Sequence, residues 1–146
     1  MSCQEAFFHE LRERGFRLTP QREMVLSVMH ELEDLATAEE IHARVQALSA
    51  AVDISTVYRT LDLLQEFRLV TCVDPGDGQR RFELVSVHGS HIHLVCSRCG
   101  SVIGADIEPA RAFATAIREA HGFAVELVNL SLPGLCRACQ VASGEG

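Results

Sequence analysis

The sequence predicts an α+β chain in two halves, and three observations carry that prediction. Apolar residues at helical spacing, punctuated by cap signals, run from Cys3 to Leu64. Two short strand signals then flank Pro75-Gly76-Asp77-Gly78, a strong turn sequence. Beyond residue 87 the pattern changes to strand, helix and strand, bracketed by Cys96-Ser97-Arg98-Cys99 and Cys136-Arg137-Ala138-Cys139.

In order, Phe7 and Leu11 lie four apart in a first helix over Cys3–Arg14, which Gly15 is placed to stop. Thr19-Pro20 supplies a cap residue and then proline at the first position of a second helix, striped by Val25, Leu26, Met29 and Leu32. Thr37-Ala38-Glu39-Glu40 is a capping box and opens a third helix with Ile41, Val45 and Leu48 on one face. A fourth begins near Ser55-Thr56, with Val57, Leu61 and Leu64 as its buried stripe. Thr56, Arg59 and Thr60 share another face, flanked by Tyr58. Leu69–Val73 and Arg80–Val85 read as a hairpin, and helices followed by a hairpin are the plan of a winged helix.

Downstream, His88-Gly89-Ser90 reads as a connector, and Ile92–Val95 and Val102–Ile103 as strands. Pro109 opens a helix carrying Phe113, Ala114 and Ile117, which Gly122 ends, and Phe123–Leu132 reads as one more strand. The expected domains are residues 1–86, residues 87–140 and a flexible tail of residues 141–146.

Composition narrows the function. At 146 residues, with 47% hydrophobic and 23% charged, the chain reads as soluble and globular. No apolar run reaches the ~20 residues of a membrane span. The N-terminus lacks a basic start followed by an apolar core, so a cytosolic location without a membrane partner is expected. The net charge of −7, and fifteen acids against nine arginines in residues 1–84, oppose nonspecific nucleic-acid binding, so any DNA surface must be local. All thirteen basic residues are arginine.

Six cysteines in a cytosolic chain suggest metal or redox chemistry before structural disulfides. Two thiolates separated by two residues can bite one metal, and Cys96, Cys99, Cys136 and Cys139 together complete a tetrahedral four-sulfur zinc site. Cys-x-x-Cys pairs are also compatible with a cytosolic thiol redox protein. His91-Ile92-His93 places two imidazoles on one face of a strand. Glu83, between inward-facing Phe82 and Leu84, adds a carboxylate. Such a donor set suits Fe(II), Zn, Mn or Ni. Cys72 reads as a small buried thiol or a further ligand. A four-thiolate site has no open position for water and no general base accompanies the histidines, so the chain does not read as an enzyme. On the fourth helix, Arg59 suits guanine or phosphate, Tyr58 and the threonine methyls suit thymine, and Arg14, Arg17 and Arg22 suit phosphates.

Three ordered motifs and the second cysteine pair resemble the ferric uptake regulator family: Gly15-Phe16-Arg17-Leu18-Thr19-Pro20-Gln21-Arg22, Ser55-Thr56-Val57-Tyr58-Arg59-Thr60-Leu61 and His91-Ile92-His93-Leu94-Val95-Cys96-Ser97-Arg98-Cys99-Gly100. The resemblance implies an N-terminal winged helix-turn-helix domain followed by a small α/β dimerisation domain with a four-cysteine zinc site. It implies a homodimeric, metal-dependent repressor that binds an A/T-rich inverted-repeat operator in double-stranded DNA. Zn(2+) is then structural and Fe(2+) regulatory, with Zn(2+) or Mn(2+) as alternatives. Arg17, Thr56, Tyr58, Arg59 and Thr60 become DNA contacts, and Glu83, His91 and His93 the regulatory ligands, with His88 or Cys72 as candidates to complete the set.

The chain departs from common members in three places. Leu35-Ala36 stands where many relatives have a histidine, and, as the second departure, relatives often have a carboxylate where Gly104 stands and a histidine near the position of Val128. The segment from Glu83 to His91 is one residue longer, and peroxide-sensing relatives usually carry aspartate at the Glu83 position.

Overall fold

Cap chemistry sets the helical boundaries of the first 66 residues. In the structure, a computed structural model that describes all residues except 1–2, 33, 86–90, 128–129 and 145–146, helix α1 covers Cys3–Glu13 and Gly15 follows at φ +85°. Helix α2, Pro20–Glu31, starts where the Thr19 side chain accepts from the Arg22 N–H. Helix α3, Ala38–Leu48, carries the full capping box: Thr37 Oγ1 accepts from the Glu40 N–H, and Glu40 accepts from the Thr37 N–H. Helix α4, Ile54–Glu66, is capped by Asp53, whose Oδ1 accepts from the Thr56 N–H at 2.9 Å. No glycine ends α4. Arg68 takes the left-handed conformation at φ 57° instead, and the Leu69 N–H returns to the Leu64 carbonyl at 2.9 Å.

Among the described residues the chain divides into two compact units: residues 1–70 with 82–87, and residues 71–81 with 88–146. In the first, α2 packs on both α3 and α4. Val25, Leu26, Ile41, Val45, Val52, Val57, Leu61 and Leu64 are excluded from solvent. Each buried side chain of this size contributes about 1.5–3 kcal/mol over leaving it in water, so this interdigitated cluster holds the helices in place. Phe16 and Phe67 add an edge-to-face contact at 5.3 Å. Leu48, expected on the buried face of α3, is 65% exposed because it is the helix's last residue and the core ends a turn earlier.

Strands β1 (Ala36–Thr37), β2 (Val70–Val73) and β3 (Arg81–Leu84) form a three-stranded sheet in the order β1-β3-β2. Helices followed by this hairpin complete the winged-helix plan. The two-residue β1 carries no strand signal in the sequence; it exists because β3 offers it an edge.

The second sheet has the order β5-β4-β6. Strand β4 (His91–Cys96) runs antiparallel to β5 (Val102–Asp106) and parallel to β6 (Ser131–Gly134). A parallel pair needs a crossover, and helix α5, Glu108–His121, lies within it, closed by Gly122 at φ 63°. The strand expected over Phe123–Leu132 is corrected to β6. Residues 123–127 have no regular structure, because pairing with β4 begins only at His93 opposite Ser131. Leu94, which alternates with the two histidines along β4, is half-buried and lines a 310 Å³ apolar cleft with Ile103 and Leu132. Helix α6, Arg137–Ser143, extends into the segment expected to be tail; Gly144 at φ 74° ends it. Among the described residues, no helix is long and apolar enough to cross a membrane.

Candidate functional site

The cysteine site is built by the edges of the second sheet. Strand β4 delivers Cys96 at its last position, and a turn through Cys99 closes with the Gly100 N–H donating to the Cys96 carbonyl at 2.9 Å. Gly100 has φ +76°, a conformation that costs a side-chain-bearing residue strain. In register, Cys96 faces Gly134 of β6, and the Ser97 N–H donates to the Gly134 carbonyl at 2.8 Å. Two residues further on, Cys136 begins α6 and places Cys139 in its first turn.

All four sulfurs lie within 4.8 Å of one another. Cys99 Sγ and Cys136 Sγ, from different pairs, are 3.8 Å apart. A tetrahedron of sulfurs at the Zn–S distance of about 2.3 Å has edges near 3.8 Å, so the set fits a zinc ion. The thiols are free rather than bridged.

Electrostatics favour a cation at the same place. The backbone N–H groups of Cys136 and Cys99 hold the Cys96 thiol down to about 6, and Ser101 lowers that of Cys99. Cys139 is pushed up to about 12, first by its hydrogen bond with Cys136 and then by burial. N–H and hydroxyl partners thus favour thiolate at Cys96 and Cys99 but not at Cys139, so collecting four negative sulfurs requires a positive ion. Ser101 and the Cys136 N–H are participants that motif spacing does not reveal; the only hint is a hydroxyl residue two positions after Cys99.

The histidine pair lies upstream on the same strand. His91 and His93 rings approach to 4.9 Å at an interplanar angle of 79°. His93 is only 3% exposed and its backbone N–H donates to the Leu130 carbonyl at 3.2 Å, whereas His91 is half-buried. Across β5, Gly104 is paired with His93, and a Cβ at Gly104 would lie 3.5 Å from His91 Cδ2. The departure at residue 104 therefore borders the imidazoles. Two convergent imidazoles without a crowding side chain from β5 can hold a divalent ion.

Glu83 is half-buried on β3 between buried Phe82 and Leu84, in keeping with its alternation, and belongs to the first unit. Cys72 on β2 is half-buried, and burial pushes its thiol up against the opposing effect of Arg80. His88 and Val128 lie outside the described residues.

On α4, Tyr58 is 39% exposed and Arg59 is exposed. Arg59 folds back along its own helix, Nε donating to the Ser55 carbonyl at 3.3 Å. Thr56 is half-buried and its hydroxyl donates to Asp53 Oδ1. Thr60 is corrected: it is 3% exposed, with its hydroxyl donating to the Thr56 carbonyl at 2.8 Å. Val57, Thr60, Leu61 and Leu64 follow the i, i+3, i+4, i+7 rule, so Thr60 belongs to the buried stripe. Arg17 is exposed in the loop before α2, where Arg22 donates to its carbonyl at 2.8 Å and stacks over Phe16 at 5.8 Å. Arg14 is occupied at the Phe67 carbonyl, 2.7 Å away. Glu39 of α3 accepts from the Tyr58 hydroxyl at 2.6 Å, a cross-helix partner hidden in a sequence where it reads as one more capping-turn acid.

The model of the ferric uptake regulator family matches residues 13–133, which include Glu83, His91, His93, the first cysteine pair and the exposed face of α4, while Cys136 and Cys139 lie beyond it. The ferric uptake regulation protein of Bacillus subtilis (strain 168) is 33% identical over 133 residues, covering 89% of each chain. The zinc uptake regulation protein of Mycobacterium tuberculosis (strain ATCC 25618 / H37Rv) is 30% identical over 126 residues, covering 86% of this chain and 96% of that one. Among solved structures, the ferric uptake regulator from Pseudomonas aeruginosa with manganese superposes at a TM-score of 0.72 with 28% identity, covering 93% of this chain and 99% of that one. The fold, the paired cysteine motifs and these matches agree: the chain belongs to the ferric uptake regulator family.

Proposed function

We infer that the chain is a metal-dependent transcriptional repressor that binds an A/T-rich inverted repeat as a homodimer. In this reading Cys96, Cys99, Cys136 and Cys139 hold structural zinc, and Glu83, His91 and His93 hold the regulatory metal. The observation that carries it is the presence, in one chain, of two chemically distinct donor sets: a closed four-sulfur set and an imidazole pair with room for further ligands. Zinc in the first supplies a cross-link that ties α6 to the end of β4. The second set governs DNA binding.

Iron(II) is the regulatory metal of this reading, supported by the 33% identity to a ferric uptake regulation protein. Zinc(II) is the second reading, favoured by the zinc uptake regulation relative and by Cys72, a soft donor on β2. Manganese(II) suits the same nitrogen and oxygen donors. Residues 1–86 act as the DNA-binding domain and 87–140 as the dimerisation domain. Exposed Ile103, Phe113, Phe123 and Leu132 in the second unit supply apolar surface that a second copy would cover. The chain works in the cytoplasm as a regulator rather than an enzyme, a reading supported by its family and its uptake-regulation relatives.

The DNA face comprises Tyr58, Arg59 and Thr56 on α4, with Arg17 beside it. Arg59 leaves Ser55 for a base edge or phosphate when DNA is bound. The test starts by selecting duplexes from a random library with the metal-loaded chain. Arg59→Ala is then expected to weaken binding to the selected duplex by about 1–3 kcal/mol, roughly 5- to 150-fold. Unchanged affinity in Arg59→Ala, measured by fluorescence anisotropy, would remove α4 from the groove.

A further inference from the structure

Tyr58 is the chain's single tyrosine, and the chain has no tryptophan. Its hydroxyl donates to Glu39 Oε1 across the α3–α4 junction at 2.6 Å, within the short range of charge-assisted O–H···O⁻ bonds. The capping box itself uses Thr37 and Glu40; at Glu39 the Thr37 side chain contributes only after the Tyr58 hydroxyl and the backbone. The Glu39 carboxyl is held below the usual glutamate range, with the Tyr58 hydroxyl as the first cause. At neutral pH it therefore accepts and has no proton to return.

A phenol carries one proton, and here it is committed to Glu39. We propose that Glu39 is a specificity-determining residue that fixes the polarity with which Tyr58 reads DNA: the phenol oxygen meets a base edge as an acceptor. This rests on the reading of α4 as the helix that enters the major groove. In that groove the exocyclic amino groups of adenine and cytosine are donors, whereas thymine O4, guanine O6 and N7, and the phosphates are acceptors. A Tyr58 held by Glu39 therefore favours an amino-bearing base over the thymine that its residue type alone suggests. The negative charge of Glu39 acts in the same direction, repelling acceptor edges and phosphates. Without Glu39 the hydroxyl could rotate to donate, and the discrimination would be lost.

The test uses the metal-loaded full-length chain and a panel of duplexes carrying each single base-pair change in the selected operator. Wild type is expected to prefer an amino-bearing base at one position per half-site by about five- to tenfold, the worth of one net hydrogen bond. Glu39→Ala should flatten that preference and leave the other positions unchanged. Tyr58→Phe should flatten the same position, and the double variant should lose no more than either single one. Glu39→Gln, whose amide can present either oxygen or N–H₂, should fall between.

A second readout needs no DNA. With one tyrosine and no tryptophan, intrinsic emission comes from Tyr58, and removing the carboxylate that accepts its proton in Glu39→Ala should raise it while circular dichroism stays constant. Two outcomes would overturn the proposal: Glu39→Ala changing affinity by one factor for every duplex, as a simple charge brake would, or acting at positions that Tyr58→Phe leaves untouched. A wild-type chain with no sequence preference on any duplex would overturn the groove reading of α4 itself, whatever the emission of the variant.

Discussion

Cys136→Ser is expected to strip the chain of its tightly held zinc and unfold the second unit. Serine keeps the shape of the side chain but replaces a thiolate with a neutral hydroxyl that scarcely ligates zinc at neutral pH. The structure explains why the loss would spread. Cys136 starts α6, its N–H lies 3.4 Å from Cys96 Sγ, and its own sulfur lies 3.8 Å from Cys99 Sγ. Around these atoms the second unit has little else to rely on: among the described residues, α5 contributes Ala110 as its one fully buried residue, and α6 contributes none. Structural zinc sites supply an apparent ~10–16 kcal/mol in small domains, more than the whole stability of most of them. Plasma mass spectrometry after gel filtration, together with thermal melting by circular dichroism, would check the result. Cys72→Ser is the control and should retain its zinc. A Cys136→Ser protein that melts like wild type would contradict a structural role and return the cysteines to redox chemistry.

His91→Ala is expected to abolish metal-dependent operator binding while leaving the zinc and the fold in place. His91 is the better choice for this test because His93 is only 3% exposed, and truncating it would also open a cavity. Loss of a group that merely hydrogen-bonds a metal ligand already costs such sites 10–100-fold in affinity. With His91 proposed as a direct ligand, its loss should therefore weaken the regulatory metal by at least about a hundredfold. Anisotropy with a labelled duplex, run across a metal titration, would show the curve displaced to higher metal or absent. Unfolding of His91→Ala, seen as loss of the cooperative melt, would instead make the imidazole pair structural.

Much of this organisation is legible in the residues. Thr19-Pro20 and the capping box at Thr37 place the starts of α2 and α3, because these signals act through bonds three residues long. The Cys-x-x-Cys pairs are equally plain, since a shared metal constrains their spacing. What escapes is whatever depends on a partner distant in sequence. Strand β6 is only Ser131–Gly134, paired with β4 from His93 to Cys96, although the apolar residues before it resemble a longer strand. Thr60 reads as polar and outward, yet its hydroxyl is satisfied by the Thr56 carbonyl, which allows it to sit in the buried stripe of α4. Helix α6 is short and weakly patterned, and it is held by Cys136 at its start and Gly144 at its end rather than by propensity. The Glu39–Tyr58 bond joins residues nineteen apart and leaves no trace in either local pattern.

Metal-dependent DNA binding, by a chain whose cysteine site is already filled, is the property on which the regulator depends. The measurement that addresses it most directly is an anaerobic titration of zinc-loaded protein with Fe(II), reading anisotropy of the selected duplex, followed by a chelator too mild to remove thiolate-bound zinc. The predicted result is saturable tightening within the usual range of allosteric coupling, about 5- to 150-fold, reversed by the chelator while one zinc per chain remains. Operator affinity that is the same with and without added Fe(II), Zn(II) or Mn(II) would contradict it.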